Sequence, residues 1–204
     1  MVHGLGTSTQ VAAWVVGIAA TIGLAVGAVA GYRGGWVDDL LMRATELFLA
    51  VPRFFLVLLV LALFGTGTAN LVLVLGITSW PVLARVVRAE TLSVRERDFV
   101  EAARSLGASH GRIVARHVLP NVLPAAVAVI ALVASRVVLL EAGLGFLGLS
   151  DSGVMSLGFL VSNAQRFMRI AWWMSVFPGA VMAAFVLAIN LLADGINDSL
   201  TPQN

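Results

Sequence analysis

Long runs without a charged residue dominate this chain and restrict it to a membrane fold. The segments 11–30 and 170–193 contain 20 and 24 residues without Asp, Glu, Arg or Lys, and about 20 apolar residues suffice for an α-helix to cross a bilayer. The sequence therefore predicts an all-α integral membrane protein with about five transmembrane helices. The three further spans are predicted at 47–66, 71–87 and 118–140, interrupted only by Arg53, Arg85 and Arg136.

The composition excludes soluble proteins and most catalytic ones. Hydrophobic residues make up 59% of the 204 positions and charged residues 12%, whereas an ordinary soluble domain has about 25% charged residues. There is no Cys, and the three scattered His residues form no metal-binding pattern. All basic residues are arginines, so the chain lacks the lysine of a phosphate-binding loop. We therefore expect no metal, no other cofactor and no ATP hydrolysis on this chain.

The arginines are distributed unevenly between the two sides of the predicted membrane. If five spans alternate in direction, the segments 31–46 and 85–117 share one side and carry nine arginines. The segments 65–70 and 141–169 share the other side and carry two. Because cytoplasmic loops are enriched in Arg and Lys, we expect the N-terminus outside and the C-terminus in the cytoplasm. Membrane orientation accounts for this bias, and no nucleic-acid binding is expected.

The segment 85–117 is a charged island between apolar spans, with seven arginines and four acidic residues. Within it, the pair Ala102 and Ala103 favours a short helix that Gly107 can end. Glu101 near the start of this helix complements the helix dipole. A solvated loop is the plainer interpretation, but small side chains also allow a short helix to fit closely into a groove of another protein. We therefore predict an interaction element rather than a catalytic one.

Four segments stand out in order along the chain: Glu101-Ala102-Ala103 with Gly107 and Leu119-Pro120, and the segments 30–43, 141–149 and 190–195. A lone Glu-Ala-Ala would not be specific, but four segments in order at compatible spacing are, and together they cover essentially the whole chain. The first resembles the cytoplasmic "EAA" loop of permease subunits in binding-protein-dependent ABC importers, and the other three resemble the dipeptide, oligopeptide and nickel branch of that family.

The resemblance implies a single ABC importer-type transmembrane domain over 1–204, with 85–117 as its cytoplasmic coupling loop. Members of this family usually have six spans, so we expect this chain to lack the family's N-terminal one. Such a permease is expected to lie in the inner membrane of a bacterial cell with a second, similar permease subunit, two ATPase subunits and an external substrate-binding protein. The resemblance implies that seven residues couple this chain to the ATPase: Glu101, Ala102, Ala103, Arg104, Gly107, Leu119 and Pro120.

Two ionisable residues are candidates for the translocation path. Arg136 lies within the fourth span and Glu141 at its outer edge, and a charged residue at membrane depth commonly marks a substrate pathway. For Arg136 the alternatives are a structural ion pair or snorkelling of the side chain to the membrane surface. For Glu141 the alternative is a local cap or pair.

The sequence thus predicts a permease subunit of an ATP-driven importer of dipeptides or oligopeptides, or of nickel or another metal chelate. It would couple closure of the ATPase to alternating access of the membrane helices. The alternative is a truncated or non-transporting membrane assembly partner. A secondary transporter is less well supported, because Arg136 is the one ionisable residue near the middle of a span and the two halves show no repeat.

Overall fold

The computed structural model describes residues 2–149 and 155–200, and every regular element in them is helical. The connection predicted at 141–169 is therefore described only in part, since 150–154 lie outside the described residues. The α-helices are α1 (Val2–Arg33), α2 (Gly35–Ala50), α3 (Arg53–Phe64), α4 (Thr68–Arg95), α5 (Asp98–Ser105), α6 (His110–Ile113), α7 (Leu119–Phe146), α8 (Leu157–Ala164) and α9 (Trp173–Leu200). A π-helical turn, Val114–Val118, joins α6 to α7, and a 3-10 turn, Gln165–Phe167, follows α8.

The described residues contain four continuous helices long and apolar enough to cross a membrane: α1, α4, α9 and the helix His110–Phe146 that includes α7. The helices α2 and α3 form a fifth span if they are counted together, although they meet at an angle of 75°. The all-α membrane fold with about five spans is thereby confirmed.

The second predicted span, 47–66, is wrong as a single continuous helix. The chain breaks at Val51 and Pro52, because a proline disfavours helical geometry in the residue before it and cannot donate its own helical hydrogen bond. Val51 is accordingly extended, with φ −85° and ψ 124°. Most of the segment 31–46, expected as a loop, belongs to helix α2.

The helices α1 and α4 form the most extensive contact of the bundle, and glycines on α1 allow it. Gly23, Gly27 and Gly31 lie one turn apart and face α4. A Cβ atom at Gly27 would lie 2.5 Å from the carbonyl oxygen of Ala84, closer than any real Cβ contact. These three glycines therefore allow the close approach of α1 and α4. By contrast, a Cβ atom at Gly17, also on α1, would meet nothing within 4 Å.

Two clusters of buried apolar side chains hold the bundle together. The first joins α1, α3, α4 and α7 around Val15, Leu61 and Leu75. The second joins the last turns of α4 to α5, α6 and the start of α7, and Val94 and Val100 are buried in it. This second cluster, which we call the basal core, fixes α5 to one end of the bundle.

An ion pair holds α2 against α4 near the same end of the bundle. Arg88 Nε donates to Asp38 Oδ1 at 2.6 Å and Arg88 Nη2 donates to Asp38 Oδ2 at 2.5 Å. This two-pronged geometry is the strongest arrangement of an arginine and a carboxylate. The Asp38 side chain is 11% exposed, whereas that of Arg88 is 34% exposed.

Because of this difference in exposure, we expect the two single replacements of this pair to lower the free energy of unfolding by different amounts. We expect Arg88→Ala to destabilise the chain by about 2–3 kcal/mol, because it leaves a buried carboxylate without its hydrogen-bond partner. We expect Asp38→Ala to cost less, because water can solvate the remaining Arg88. Unfolding of the detergent-purified chain in a denaturant series measures both. Equal losses of unfolding free energy, or a larger loss for Asp38→Ala, would contradict the explanation by unequal exposure.

Candidate functional site

The short helix predicted before Gly107 is present as α5, and its ends follow from its sequence. Asp98 and Glu101 lie in the first turn, where their charges complement the helix dipole. At the other end Gly107 has a φ of +80°, a conformation that favours glycine. Its N–H donates to the carbonyl oxygen of Arg104 at 3.0 Å, and that of Ala108 to Ala103 at 3.1 Å. These two bonds form a Schellman motif, so Gly107 ends the helix as predicted.

The two faces of α5 have different surroundings. Val100 is fully buried in the basal core, and Ala103 packs against the same core half-buried. Ala102 and Arg104 are exposed, and Leu106 just beyond the helix is 88% exposed. The structure therefore separates Ala102, which is available to a partner protein, from Ala103, which contacts the body of this chain.

The two helices that flank α5 in the chain, α4 and α6, are tied to the end of α1. The Tyr32 hydroxyl lies 3.0 Å from His110 Nδ1, and the two rings meet edge to face with centroids 5.8 Å apart. Arg95 Nη1 donates to the carbonyl oxygen of Gly31 at 2.8 Å. Both contacts join residues near the end of α1 to the segment around α5. A force applied to α5 would therefore reach α1 as well as α4 and α7.

Leu119 and Pro120 follow the π-helical turn at the start of α7. The Leu119 N–H donates to the carbonyl oxygen of Val114, the long-range bond of a π-helix. Pro120 has no N–H and would clash with the carbonyl oxygen four residues before it in a regular α-helix, which explains the wider turn here. Leu119 packs on the basal core, whereas Pro120 is exposed.

An open cavity of about 490 Å³ lies beside the α2–α3 break, between that break and helices α4 and α7. Val51, Pro52 and Arg53 line it from the break, Thr78 from α4 and Arg136 from α7. Neither arginine makes an ion pair or a hydrogen bond to the part of the chain that the structure describes. The ion-pair alternative for Arg136 thus finds no partner among those residues.

A second cavity of about 390 Å³ adjoins the first and is lined mainly by apolar side chains. The two cavities share Phe48, Leu56 and Thr78. The second one continues along α3 and α4 to Phe64 and Asn70, next to the α3–α4 turn. Together they form one groove along an open side of the bundle.

Glu141 is distant from α5, at the opposite end of the bundle, and is buried. Its side chain accepts a hydrogen bond from Ser8 Oγ at 2.8 Å, and Ser8 Oγ also accepts one from the Leu157 N–H at 3.4 Å. A Cβ atom at Gly158 would lie 3.0 Å from the Glu141 carbonyl oxygen. Glu141 therefore has a structural environment at the junction of α1, α7 and α8.

Sequence reasoning did not foresee that Arg53 shares a cavity with Arg136. Arg53 lies near one end of the predicted span 47–66, a position from which an arginine side chain can extend to the membrane surface. The signal that could have indicated a different position was Pro52, since a proline directly before a charged residue within an apolar run favours a break at membrane depth. The link between Tyr32 and His110 had no detectable signal in the sequence.

Comparison with known proteins agrees with the fold and the motifs. Residues 23–203 match the family described as "Binding-protein-dependent transport system inner membrane component". The chain is 34% identical, over its full length and 67% of the relative, to the dipeptide transport system permease protein DppC of Alkalihalophilus pseudofirmus. It is 36% identical, over 92% of the chain and 60% of the relative, to the oligopeptide transport system permease protein OppC of Haemophilus influenzae. It spans about two thirds of such relatives.

A solved structure shares the fold. The match to an inward-facing MetNI methionine ABC transporter has a TM-score of 0.80 at 21% identity and covers 98% of this chain and 96% of the other. At that identity the likeness concerns the fold. Taken with the family match over residues 23–203, it identifies the chain as a member of the family of inner-membrane components of binding-protein-dependent transport systems, a multi-pass permease.

Proposed function

We propose that this chain is the permease subunit of an ATP-driven importer of dipeptides or oligopeptides. The observation that carries the proposal is α5, a short helix with one face buried in the basal core and one face exposed at the end of the bundle. The names of the relatives supply the substrate class, since they include dipeptide and oligopeptide permeases. Peptides are therefore preferred to nickel or a metal chelate, and nothing in the comparisons favours a non-transporting assembly partner.

The exposed face of α5 is the proposed contact with the ATPase. Glu101, Ala102 and Arg104 are exposed on the helix, with Leu106 beyond its end. The other proposed coupling residues support α5 rather than contact the ATPase. Gly107 ends the helix, and Ala103 and Leu119 pack on the basal core. Pro120 follows Leu119 at the π-helical turn. Closure of the ATPase would move α5, and the basal core would pass that movement to α4 and α7.

The groove beside the α2–α3 break is the proposed part of the translocation path. It contains Arg136, whose side chain is exposed on an open side of the bundle. A second permease subunit facing this side would complete the path. Glu141 is proposed to support the outer end of the bundle through Ser8 and α8 rather than to meet substrate, because its side chain is buried.

The full assembly is proposed to contain a second permease subunit, two separate ATPase subunits and an external substrate-binding protein. The arginine distribution supports a cytoplasmic position for α5 and for the C-terminus, with the N-terminus outside. Residues 1–204 would then form a single transmembrane domain, and 85–117 its cytoplasmic coupling loop.

The experiment that tests this function is isolation of the tagged chain from native membranes in mild detergent, followed by mass spectrometry of its partners and by peptide uptake into vesicles. We expect an ATPase and a second permease to be recovered with the chain, and uptake to require ATP. Recovery of the chain alone would contradict the importer assignment.

A further inference from the structure

We infer that Arg53 and Arg136 together form a binding site for a carboxylate within the groove, and that this site receives the terminal carboxylate of the transported peptide. The inference rests on the proposed function for the identity of the cargo. The site itself rests on three observations: the shape of the cavity, the absence of an acidic partner among the described residues and the break between α2 and α3.

The cavity has the size and lining of a small-molecule site. Its volume of about 490 Å³ lies within the range of ligand pockets, which is about 300–1,000 Å³. Most of its wall is apolar, including Phe48, Leu56 and Leu139, and its two charged groups are both arginines. A mainly apolar pocket with a few polar groups directed to it is typical of a ligand site.

Two arginines in one mainly apolar cavity favour a bound anion. Their positive charges repel each other, and the partial burial of Arg53 adds a cost unless its guanidinium is paired. In the part of the chain that the structure describes, Arg88 pairs with Asp38 and Arg95 with Glu96, but neither Arg53 nor Arg136 has an acidic partner. A carboxylate lying between them would accept hydrogen bonds from both guanidinium groups, the geometry for which arginine is best suited.

The helix break lines the same cavity as this pair. Val51 and Pro52 line the cavity, and Thr78 and Val82 face it from the middle of α4. Non-helical backbone at membrane depth occurs where it is buried in protein or lines a cavity. Discontinuous membrane helices also commonly surround substrate sites. The break therefore has a role that a continuous span could not perform: it turns the start of α3, and with it Arg53, toward α7.

Chemical modification of arginine tests the site directly. The complex of this chain with its ATPase and second permease is placed in lipid nanodiscs without the external binding protein and treated with phenylglyoxal. Mass spectrometry gives the modification rate of each arginine. We expect saturating dialanine to slow modification of Arg53 and Arg136 by about tenfold, the effect of a charge-assisted hydrogen bond. Dialanine amide, which lacks the carboxylate, should protect neither, and the exposed Arg43 should be unaffected by both.

A variant tests whether the two arginines act together. In Arg136→Gln we expect the protection of Arg53 by dialanine to fall by about tenfold, while the complex is recovered in the same amount. Equal rates with dialanine and its amide would overturn the proposal. So would loss of the second permease from the Arg136→Gln complex, because the pair would then serve a contact between subunits.

ATP-dependent uptake of dialanine, measured in parallel, separates the carboxylate site from the proposed importer function. Protection of both arginines without ATP-dependent uptake of dialanine would leave the carboxylate site intact and contradict the importer assignment. Uptake without protection would support the importer and overturn the site.

Discussion

Replacement of Gly27 by leucine is expected to remove most of the folded protein, because α1 and α4 could no longer approach each other. The first atom of a side chain at Gly27 would already lie 2.5 Å from the carbonyl oxygen of Ala84 and 2.7 Å from Val87 Cβ. A backbone carbonyl within a helix cannot rotate away, so the two helices would have to separate. Overpacking of a core commonly costs about 1–3 kcal/mol, and we expect a loss at or above the upper end of that range.

Gly17→Leu is the matched control for Gly27→Leu. Both glycines lie on α1 and both changes add the same apolar side chain, so membrane insertion is equally favoured. A Cβ atom at Gly17 meets nothing within 4 Å, and we expect a change within about 0.5 kcal/mol. The monodisperse fraction of the detergent-extracted chain in size-exclusion chromatography measures both. A folded Gly27→Leu chain, or equal losses for the two variants, would show that close approach of α1 and α4 is not required.

Local signals in the sequence predicted the features that depend on local chemistry. Uncharged runs indicated the membrane helices because their length can be compared with the thickness of a bilayer. Gly107 indicated the end of α5 because a positive φ favours glycine. Pro52, by the same kind of argument, should have indicated the break in the second span. The error was to count apolar residues across it.

Features that depend on distant contacts could not be predicted in this way. Glu141 is held by Ser8, which lies 133 positions earlier in the chain, and no periodicity within α7 indicates that partner. Arg53 and Arg136 meet at one cavity only because α3 turns by 75° from α2. The direction in which each face of α5 points is also set by the basal core. Val100 and Ala103 are three residues apart, as one helical face requires, but the sequence does not say which neighbours they meet.

Ala102→Arg is expected to abolish most transport while the chain still folds. Ala102 is exposed on α5, so the new side chain can extend into solvent without disturbing the basal core. In the assembled transporter it would occupy the space that the ATPase groove requires. Central contacts of an interface commonly contribute about 2 kcal/mol or more, so we expect uptake to fall at least about tenfold. Peptide uptake into proteoliposomes, with ATP hydrolysis measured in the same sample, gives the result.

The neighbouring residue provides the comparison for this variant. Ala103 is half-buried against the basal core, so Ala103→Arg should lower the amount of folded chain as well as uptake.

Cross-linking gives a direct readout of the contact between α5 and the ATPase, because the chain has no Cys and Leu106→Cys would introduce its first thiol. Leu106 is 88% exposed, and we expect a bifunctional thiol reagent to link it to an ATPase that carries a single cysteine in its groove. Normal uptake by Ala102→Arg together with no cross-link at position 106 would show that α5 is not the coupling helix.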